Sequence, residues 1–396
     1  MFKGLLRQAS LAAVLCIGLC SMLWADESPR VYSGTLGKMP IVLMLDSSND
    51  NEVSGRYFYQ KHHLDLALNG RRDGQLISLI EGEERGGNGK ALPHLRLHET
   101  ASGLQGQWQS PEGKQLEVEL RPVRLPSLPS DALPYLATLY TRAPYEYLRL
   151  QGLPLQAGKK QMFMGYTLQW WREPQSNISL FEVVEGYPAE QRTRINQQLM
   201  ERLWRDVGRY HECRLNGGEA AVYQQQARPK LLTPALLSVS ISRGWDCGGP
   251  HPDENEAGFN LQVDSAQELT LEDLLWLGEG RAFRYVRDEN GWGEDESDVD
   301  SSGFADYRRQ RLAPWLISQF QARHPQGLSP STIDQEGCDY GNVERWVYVN
   351  WYLGADGLHV LPAFSHSEGG CRAPAWSVLP YSLVRQHPGR LPLPLP

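Results

Sequence analysis

The segment QLEVEL, Gln115–Leu120, alternates polar and apolar residues along its whole length. Successive side chains of an extended strand point to opposite faces, so Leu116, Val118 and Leu120 share one face and the two glutamates share the other. A strand with one apolar and one charged face is typical of an antiparallel sheet that covers a core on one side and meets water on the other. The segment therefore predicts a half-buried β-strand.

Strand-like segments of similar length precede QLEVEL between Val31 and Pro122, at a spacing of roughly ten residues. Turn signals such as PEGK, Pro111–Lys114, separate them. The segments are IVLML, GRYFYQ, LDLAL, QLISLI, LRLH and GLQGQWQ. We therefore predict an N-terminal antiparallel β meander or barrel domain over residues 26–122.

The sequence changes character after residue 122. Residues 123–142 are rich in proline and predict a semi-rigid linker. Residues 143–388 mix strand-like segments, among them YEYLRL, ALLSVSIS and RWVYVNWYL, with helical ones and predict an α+β domain. The final residues 389–396, which contain LPLPLP, predict a solvated extended tail. The chain as a whole is therefore expected to be α+β.

Three helices are predicted within the α+β domain. The longest begins at Pro188 and places Ile195, Leu199, Leu203 and Val207 on one face. LTLEDLLWL predicts a short helix capped by Thr270. DYRRQRLAPWLISQFQAR predicts a helix that is interrupted near Pro314.

Residues 1–25 have the features of a secretory signal peptide that is cleaved before Asp26. Lys3 and Arg7 precede an apolar stretch that is too short to span a bilayer. Lipoprotein processing at Cys20 is the alternative, and the bulky Leu19 before it disfavours that alternative. We therefore expect a periplasmic or secreted protein without a membrane span.

Loss of this leader would remove two positive charges and take the formal net charge from −8 to −10. An acidic chain disfavours nucleic acid as a partner, because phosphate contacts require clustered lysine and arginine. A basic protein or a neutral glycan is the expected partner. No cofactor is predicted apart from the calcium alternative below.

Four cysteines remain after the leader. In an oxidising compartment they predict two disulfides, for which three connectivities exist. We favour pairing between sequence neighbours, which gives Cys213–Cys247 and Cys338–Cys371. A zinc site is disfavoured because no closely spaced cysteine pair is present.

The segment GWDCGGPHP, Gly244–Pro252, concentrates residue types that carry chemistry. One interpretation makes His251 a ligand or general base, with Asp246 or Asp253 beside it and His366 as a distant companion. The other makes the segment a tight, disulfide-anchored turn in which the glycines supply unusual dihedral angles. Because no catalytic signature is present, we predict no catalytic residue and assign Trp245, Asp246, His251 and His366 to binding.

An acidic stretch runs from Asp288 to Asp306 and includes Asp295 and Glu296, which we expect to face a basic partner. Within it DVDSSG has the oxygen spacing of a calcium loop. The candidate ligands are Asp298, Asp300, Ser302 and Asp306. The bidentate glutamate of such a loop is replaced by Arg309, and a solvated acidic loop is the alternative.

The carboxy-terminal sequence TPALLSVSISRGWDCGGPHPDENEAGFNLQVDSAQELTLEDLL resembles an extracytoplasmic domain of unassigned function. That domain occurs in lysozyme-sensing anti-sigma factors and beside peptidoglycan deacetylases. The preceding EGYPAEQRTRINQQLMERLW and the later WYLGADGLHVLPAF and SVLPYSLVRQ are similar to other parts of that domain. The matching positions are Gly249, His251, Pro252, Asn260, Asp264 and Leu269–Leu274.

The resemblance covers roughly the last 250 residues. It implies an α+β fold, a role at the cell envelope and, in one branch, binding of a lysozyme-type enzyme. The membrane anchor of the anti-sigma factors and the deacetylase domain are not recognised in this sequence. We therefore expect a non-catalytic binding module for a lysozyme-type enzyme or peptidoglycan. The alternatives are a cell-envelope hydrolase that uses His251 and a structural envelope component.

Overall fold

The computed structural model describes residues 29–47, 51–82, 91–286, 297–328 and 337–396. The predicted signal peptide therefore lies outside the described residues. The fold is mixed α+β, as predicted, with an N-terminal antiparallel barrel followed by three small sheets and the helices. No helix in the described ranges combines the length and apolar character that crossing a bilayer requires.

The N-terminal part is a closed barrel of eight strands, each antiparallel to the next, and the first strand pairs with the last. QLEVEL belongs to the last strand, where Val118 and Leu120 are buried and the glutamates are exposed. The strands are β1 (Arg30–Leu36), β2 (Met39–Asp46), β3 (Glu52–Tyr59), β4 (Asp65–Asp73), β5 (Leu76–Glu81), β6 (His94–Thr100), β7 (Gly103–Gln109) and β8 (Gln115–Pro122). The predicted β meander or barrel is thus confirmed.

Four glycines on the inward face allow neighbouring strands of the barrel to approach closely. They are Gly34, Gly55, Gly70 and Gly106. A Cβ atom on Gly106 would lie 1.9 Å from the carbonyl oxygen of Arg96, and the other three meet a similar obstacle. Glycine at these positions permits the tight bending that a small barrel requires.

Two helices follow where the sequence predicted a linker and a strand. They are α1 (Pro134–Arg142) and α2 (Pro144–Leu150), and each has a proline in its first turn. The linker predicted to residue 142 and the strand YEYLRL are therefore wrong. Tyr145 packs on Phe58 of the barrel while Tyr147 packs in the core of the α+β part. Because α2 has a core on two sides, its buried residues do not follow the period of a one-faced helix.

The middle of the chain contains two three-stranded sheets and the longest helix. One sheet has the order β11-β10-β9 and the other β12-β13-β14. The elements are β9 (Gln156–Phe163), β10 (Tyr166–Arg172), β11 (Ser179–Glu185), α3 (Ala189–Gly217), β12 (Val222–Leu232), β13 (Leu236–Asp246) and β14 (Asp253–Gln262). The four apolar residues predicted for one face of α3 are all fully buried, which confirms this helix.

The last part of the chain packs short elements around a separate core. They are α4 (Leu271–Leu274), α5 (Ser301–Tyr307), α6 (Ala313–Arg323), β15 (Asn350–Leu353), β16 (Leu358–Leu361), β17 (Val378–Leu379) and α7 (Tyr381–Val384). A π-helical turn, Arg308–Leu312, joins α5 to α6 just before Pro314. Short 3₁₀ turns cover Gly218–Ala220, Val343–Trp346 and His366–Cys371. Thr270 is the N-cap residue of α4, as predicted, and its backbone N–H donates to Asp273 Oδ2 at 2.8 Å.

Two predictions for this region are wrong. RWVYVNWYL is a strand only over its last four residues, because Trp346 turns into the core and its indole N–H donates to the carbonyl of Tyr340 at 2.8 Å. Residues 389–396 are not a solvated tail. Gly389 N donates to the carbonyl of Leu274, and the leucines of LPLPLP pack beside the last core.

Both disulfides form between sequence neighbours, as predicted. The Cys213–Cys247 disulfide links α3 to the residue just after β13. The Cys338–Cys371 disulfide links the segment before Val343 to the 3₁₀ turn His366–Cys371. Their sequence separations are 34 and 33 residues. In the chain-entropy model, loops of this length stabilise the folded state by about 3–4 kcal/mol each.

Replacement of Gly106 by alanine tests the close approach of the barrel strands. We expect Gly106→Ala to lower the free energy of unfolding by about 1–3 kcal/mol, because the added methyl group meets backbone atoms that cannot rotate away. Gly244→Ala is the matched strand control, since nothing lies within 4 Å of a Cβ there. Urea denaturation of both variants provides the measurement. Equal stabilities of the two variants would contradict this explanation.

Candidate functional site

The segment GWDCGGPHP is the end of β13 and the turn that leads to β14. The Cys213–Cys247 disulfide holds this turn on α3, and Gly248 has a φ of +81° that favours glycine. Asp246 Oδ1 accepts the N–H of Gly248 at 3.3 Å. The interpretation as a disulfide-anchored turn is therefore confirmed.

The turn brings His251 against His366, its predicted distant companion. The two imidazole rings are stacked, with centroids 4.0 Å apart and planes 9° from parallel. His366 Nδ1 lies 3.8 Å from Asp253 Oδ1, and His251 Nδ1 lies 3.3 Å from the carbonyl oxygen of Pro252. These contacts are those of a stacked pair on the rim of a site rather than of a nucleophile and its base.

Arg372 fixes this arrangement, although the sequence analysis did not single it out. Its Nη1 donates to Asp253 Oδ1 at 2.7 Å and to the carbonyl of Glu254, and its Nε donates to the carbonyl of Phe364 at 3.0 Å. Partial burial raises the pKa of Asp253. Hydrogen bonds from Arg372 and from the Glu254 N–H lower the pKa, and together they outweigh burial, so the net shift is downward. The only sequence signal for Arg372 was its position next to Cys371.

A cleft of about 390 Å³ opens beside this cluster, between β13 and β14 on one side and the segment that follows β16 on the other. Trp245 and Phe364 supply aromatic surface, and Asn255, Asn350 and Glu254 supply amide and carboxylate groups. The remaining lining residues are Ser242, Arg243, Asp253, Glu256, Leu361, Pro362, Ala363, Gly369, Arg372 and Ala373. The cleft therefore combines aromatic side chains with hydrogen-bond donors and acceptors.

Among the described residues, a polar atom that lines this cleft has no hydrogen-bond partner of its own. Asn255 Oδ1 is buried and has no hydrogen-bond partner within the described ranges. The carboxylate of Glu256, by contrast, accepts from Ser240 Oγ and is already engaged. A buried amide oxygen without a partner is costly, and a bound donor would remove that cost.

The four candidate calcium ligands lie at the start of a helix. Asp300 is the N-cap of α5 and accepts the N–H of Gly303 at 2.7 Å, while Asp298 Oδ2 accepts the N–H of Arg284 at 2.8 Å. Calcium binding stays a prediction, but Ser302 and Asp306 lie on α5 itself, so the segment is a capped helix start and not an open loop. The cause is the strong capping preference of aspartate, which ends the loop at residue 300. The predicted contact residues Asp295 and Glu296 lie outside the described residues.

Nor does any other part of the described chain place three or more His, Cys, Asp or Glu side chains so that they could hold a metal ion. In comparisons with known proteins, no family model and no curated protein matches this chain.

Replacement of Arg372 tests whether it holds the rim of the cleft together. We expect Arg372→Met to lower the free energy of unfolding at pH 7 by about 1–2 kcal/mol, because Asp253 and two carbonyls lose a charged donor. The free energy of unfolding of the variant should also fall less in acid than that of the wild type, because the contribution of Asp253 to this fall depends on Arg372. A carboxylate with a lowered pKa stabilises the fold above its ordinary pKa of 3.8 and loses that effect as the pH falls below it.

Urea denaturation between pH 3 and pH 7 measures both effects. Arg281→Met, at an exposed position, is the control. The role of Arg372 is refuted if the two variants have the same stability at every pH.

Proposed function

We propose that this chain is an exported, non-catalytic cell-envelope protein that binds the glycan of peptidoglycan in the cleft beside Trp245. The observation that carries the proposal is the composition of that cleft, in which the partly exposed ring of Trp245 stands beside the unpaired amide oxygen of Asn255 and the exposed residue Glu254. Sugars present apolar ring faces and hydroxyl groups together, and this lining complements both.

The size and position of the cleft support a ligand of this kind. Its volume of about 390 Å³ lies within the usual range for small-ligand sites. It lies between two sheets whose relative position is fixed by buried hydrogen bonds, so its walls are held in place before a ligand arrives.

Export is supported by two independent features. The first is the predicted signal peptide at residues 1–25. The second is the pair of disulfides, which are typical of oxidising compartments.

A lysozyme-type enzyme is the second candidate ligand. The formal charge of −10 expected for the mature chain would favour encounter with a basic protein, and the resemblance described above points to the same class. Asp253 is neutralised by Arg372, and Glu256 is engaged, so Glu254 is the carboxylate of the cleft best placed to meet a cation.

Replacement of Trp245 tests the proposed glycan site. We expect Trp245→Ala to weaken retention on insoluble peptidoglycan about tenfold, which corresponds to the loss of one aromatic stacking contact. Tyr348→Ala is the control, because Tyr348 is 53% exposed and does not line the cleft. Sedimentation with purified peptidoglycan, at low and high salt, measures retention.

The alternatives give different results in the same set of experiments. Binding to lysozyme that falls with salt, without retention on peptidoglycan, would favour the basic partner. Degradation of peptidoglycan that a folded His251→Ala variant has lost would favour the hydrolase. A stable protein partner with no affinity for either ligand would favour a structural component. Absence of all binding would refute the proposal.

A further inference from the structure

A buried histidine lies in α3 where this helix meets the barrel. His211 is 1% exposed, and neither of its ring nitrogens has a hydrogen-bond partner among the residues that the structure describes. Its ring packs edge to face on Tyr210, with centroids 5.2 Å apart. An imidazole in such a place is neutral, because a charge there would have neither water nor a counter-ion.

A second histidine approaches the same place from the barrel. His63 follows β3, and its ring stacks on Phe58 with centroids 5.6 Å apart. The ring also lies against Gly152, where a Cβ atom would come within 2.6 Å of Cε1. Its Nδ1 is buried without a partner. The fit against Gly152 shows that His63 belongs to the contact between the barrel and the segment after α2.

The charge that acts on both histidines is positive. Arg149 of α2 is 0% exposed, and its Nη2 donates to Asp65 Oδ2 at 2.6 Å. Tyr145 donates to the other oxygen of Asp65 at 2.6 Å, so both carboxylate oxygens of Asp65 are engaged. A proton added to either histidine would therefore place a second cation near Arg149 without adding an anion.

The groups that act on the histidines come from every element at this contact. Burial holds the pKa of His211 well below its ordinary value of 6.5, and Arg149 and His63 lower it further. Burial and Arg149 also lower the pKa of His63, while a backbone hydrogen bond to Arg149 and the charge of Glu173 oppose this. Glu173 gives little compensation, because its carboxylate accepts the N–H groups of Gln175 and Ser176.

The charged and titratable groups are Arg149, Asp65, Tyr145, Glu146 and Arg56 at the barrel contact, His62 and His63 after β3, Glu173 after β10, and Tyr210 on α3.

The contact between the barrel and the helices is not filled throughout. A cavity of about 550 Å³ lies between β2, β3 and β4 on one side and α1, α2 and α3 on the other. Arg56 and Glu146, which are joined by an ion pair of 2.7 Å, form part of its wall. The barrel also has a hydrophobic core of its own, so it need not unfold when this contact opens.

We propose that docking of the barrel on the rest of the chain is pH-dependent, and that protonation of His211 and His63 in mildly acidic solution releases it. Well above pH 6.5 both rings are neutral whether or not the barrel is docked, and docking is at full strength. Below that pH the released form binds protons that the docked form excludes. The released population then rises by up to about tenfold per pH unit for each histidine.

Native-state hydrogen exchange of the full mature chain tests the proposal. The reporter is the set of hydrogen-bonded α2 amides, residues 147–150, with rates corrected for the intrinsic exchange rate at each pH. Protection should be constant between pH 8 and pH 7 and should fall by about 10-fold to 100-fold between pH 6.5 and pH 5.5. Amides of β6 and β7, inside the barrel, should lose less protection over the same range.

Two variants separate the histidines from other acid effects. In His211→Phe the fall in protection for each pH unit should be smaller than in the wild type by up to about a factor of ten, because one proton fewer binds on release. His94→Gln, at an exposed position of the barrel, should behave as the wild type. Constant protection of α2 in the wild type, or an unchanged loss in folded His211→Phe, would overturn the proposal.

Should His211→Phe fail to fold, titration of the wild-type imidazole rings by nuclear magnetic resonance decides the question. A His211 ring that remains neutral at pH 5.5 in the docked form supports the proposal. A ring that titrates near pH 6.5 while α2 keeps its protection refutes it.

Discussion

Asp206 of α3 is fully buried, and the position of the longest helix depends on how its charge is compensated. Its carboxylate accepts from Arg202 at 3.2 Å and from Arg209 and Arg243 at 3.0 Å each. A buried carboxylate is tolerated only with such partners, and the loss of one is strongly destabilising. Because Arg243 belongs to β13, this cluster fixes the helix on the central strand of its sheet. The Cys213–Cys247 disulfide then fixes the end of the same strand.

A second buried polar group joins the two sheets that form the cleft. Ser238 Oγ donates to Asn260 Oδ1 at 2.6 Å and accepts the N–H of Leu353 at 3.0 Å, while Asn260 donates to the carbonyl of Trp351 at 3.3 Å. All of these groups are buried, so any other arrangement of the sheets would leave polar atoms unpaired. The wall of the cleft that contains Trp245 is thus fixed by how the sheets meet, while the segment after β16 supplies the other wall.

The parts of the fold that depend on one-sided burial could be predicted from the sequence. QLEVEL and the apolar face of α3 each bury one face, and their periods identify them directly. The predictions for helix α2 and for the C-terminal residues were wrong because neither buries a single face. Helix α2 contacts two hydrophobic cores, and the leucines of the C-terminal residues pack at the edge of a third core. For the site, the sequence supplied the turn and the His251–His366 pair. It could not supply Arg372 or Asn255, whose importance comes only from contacts with distant segments.

The two disulfides close loops that neither overlap nor enclose one another, since Cys247 precedes Cys338 in the chain. In a chain that is oxidised as it is exported with its N-terminus first, the first two cysteines after the predicted leader are therefore a native pair, and so are the next two. Consecutive pairing of this kind gives the correct connectivity without thiol–disulfide reshuffling. An oxidant that simply joins cysteines in order of appearance would suffice, and a disulfide isomerase would be dispensable for this protein.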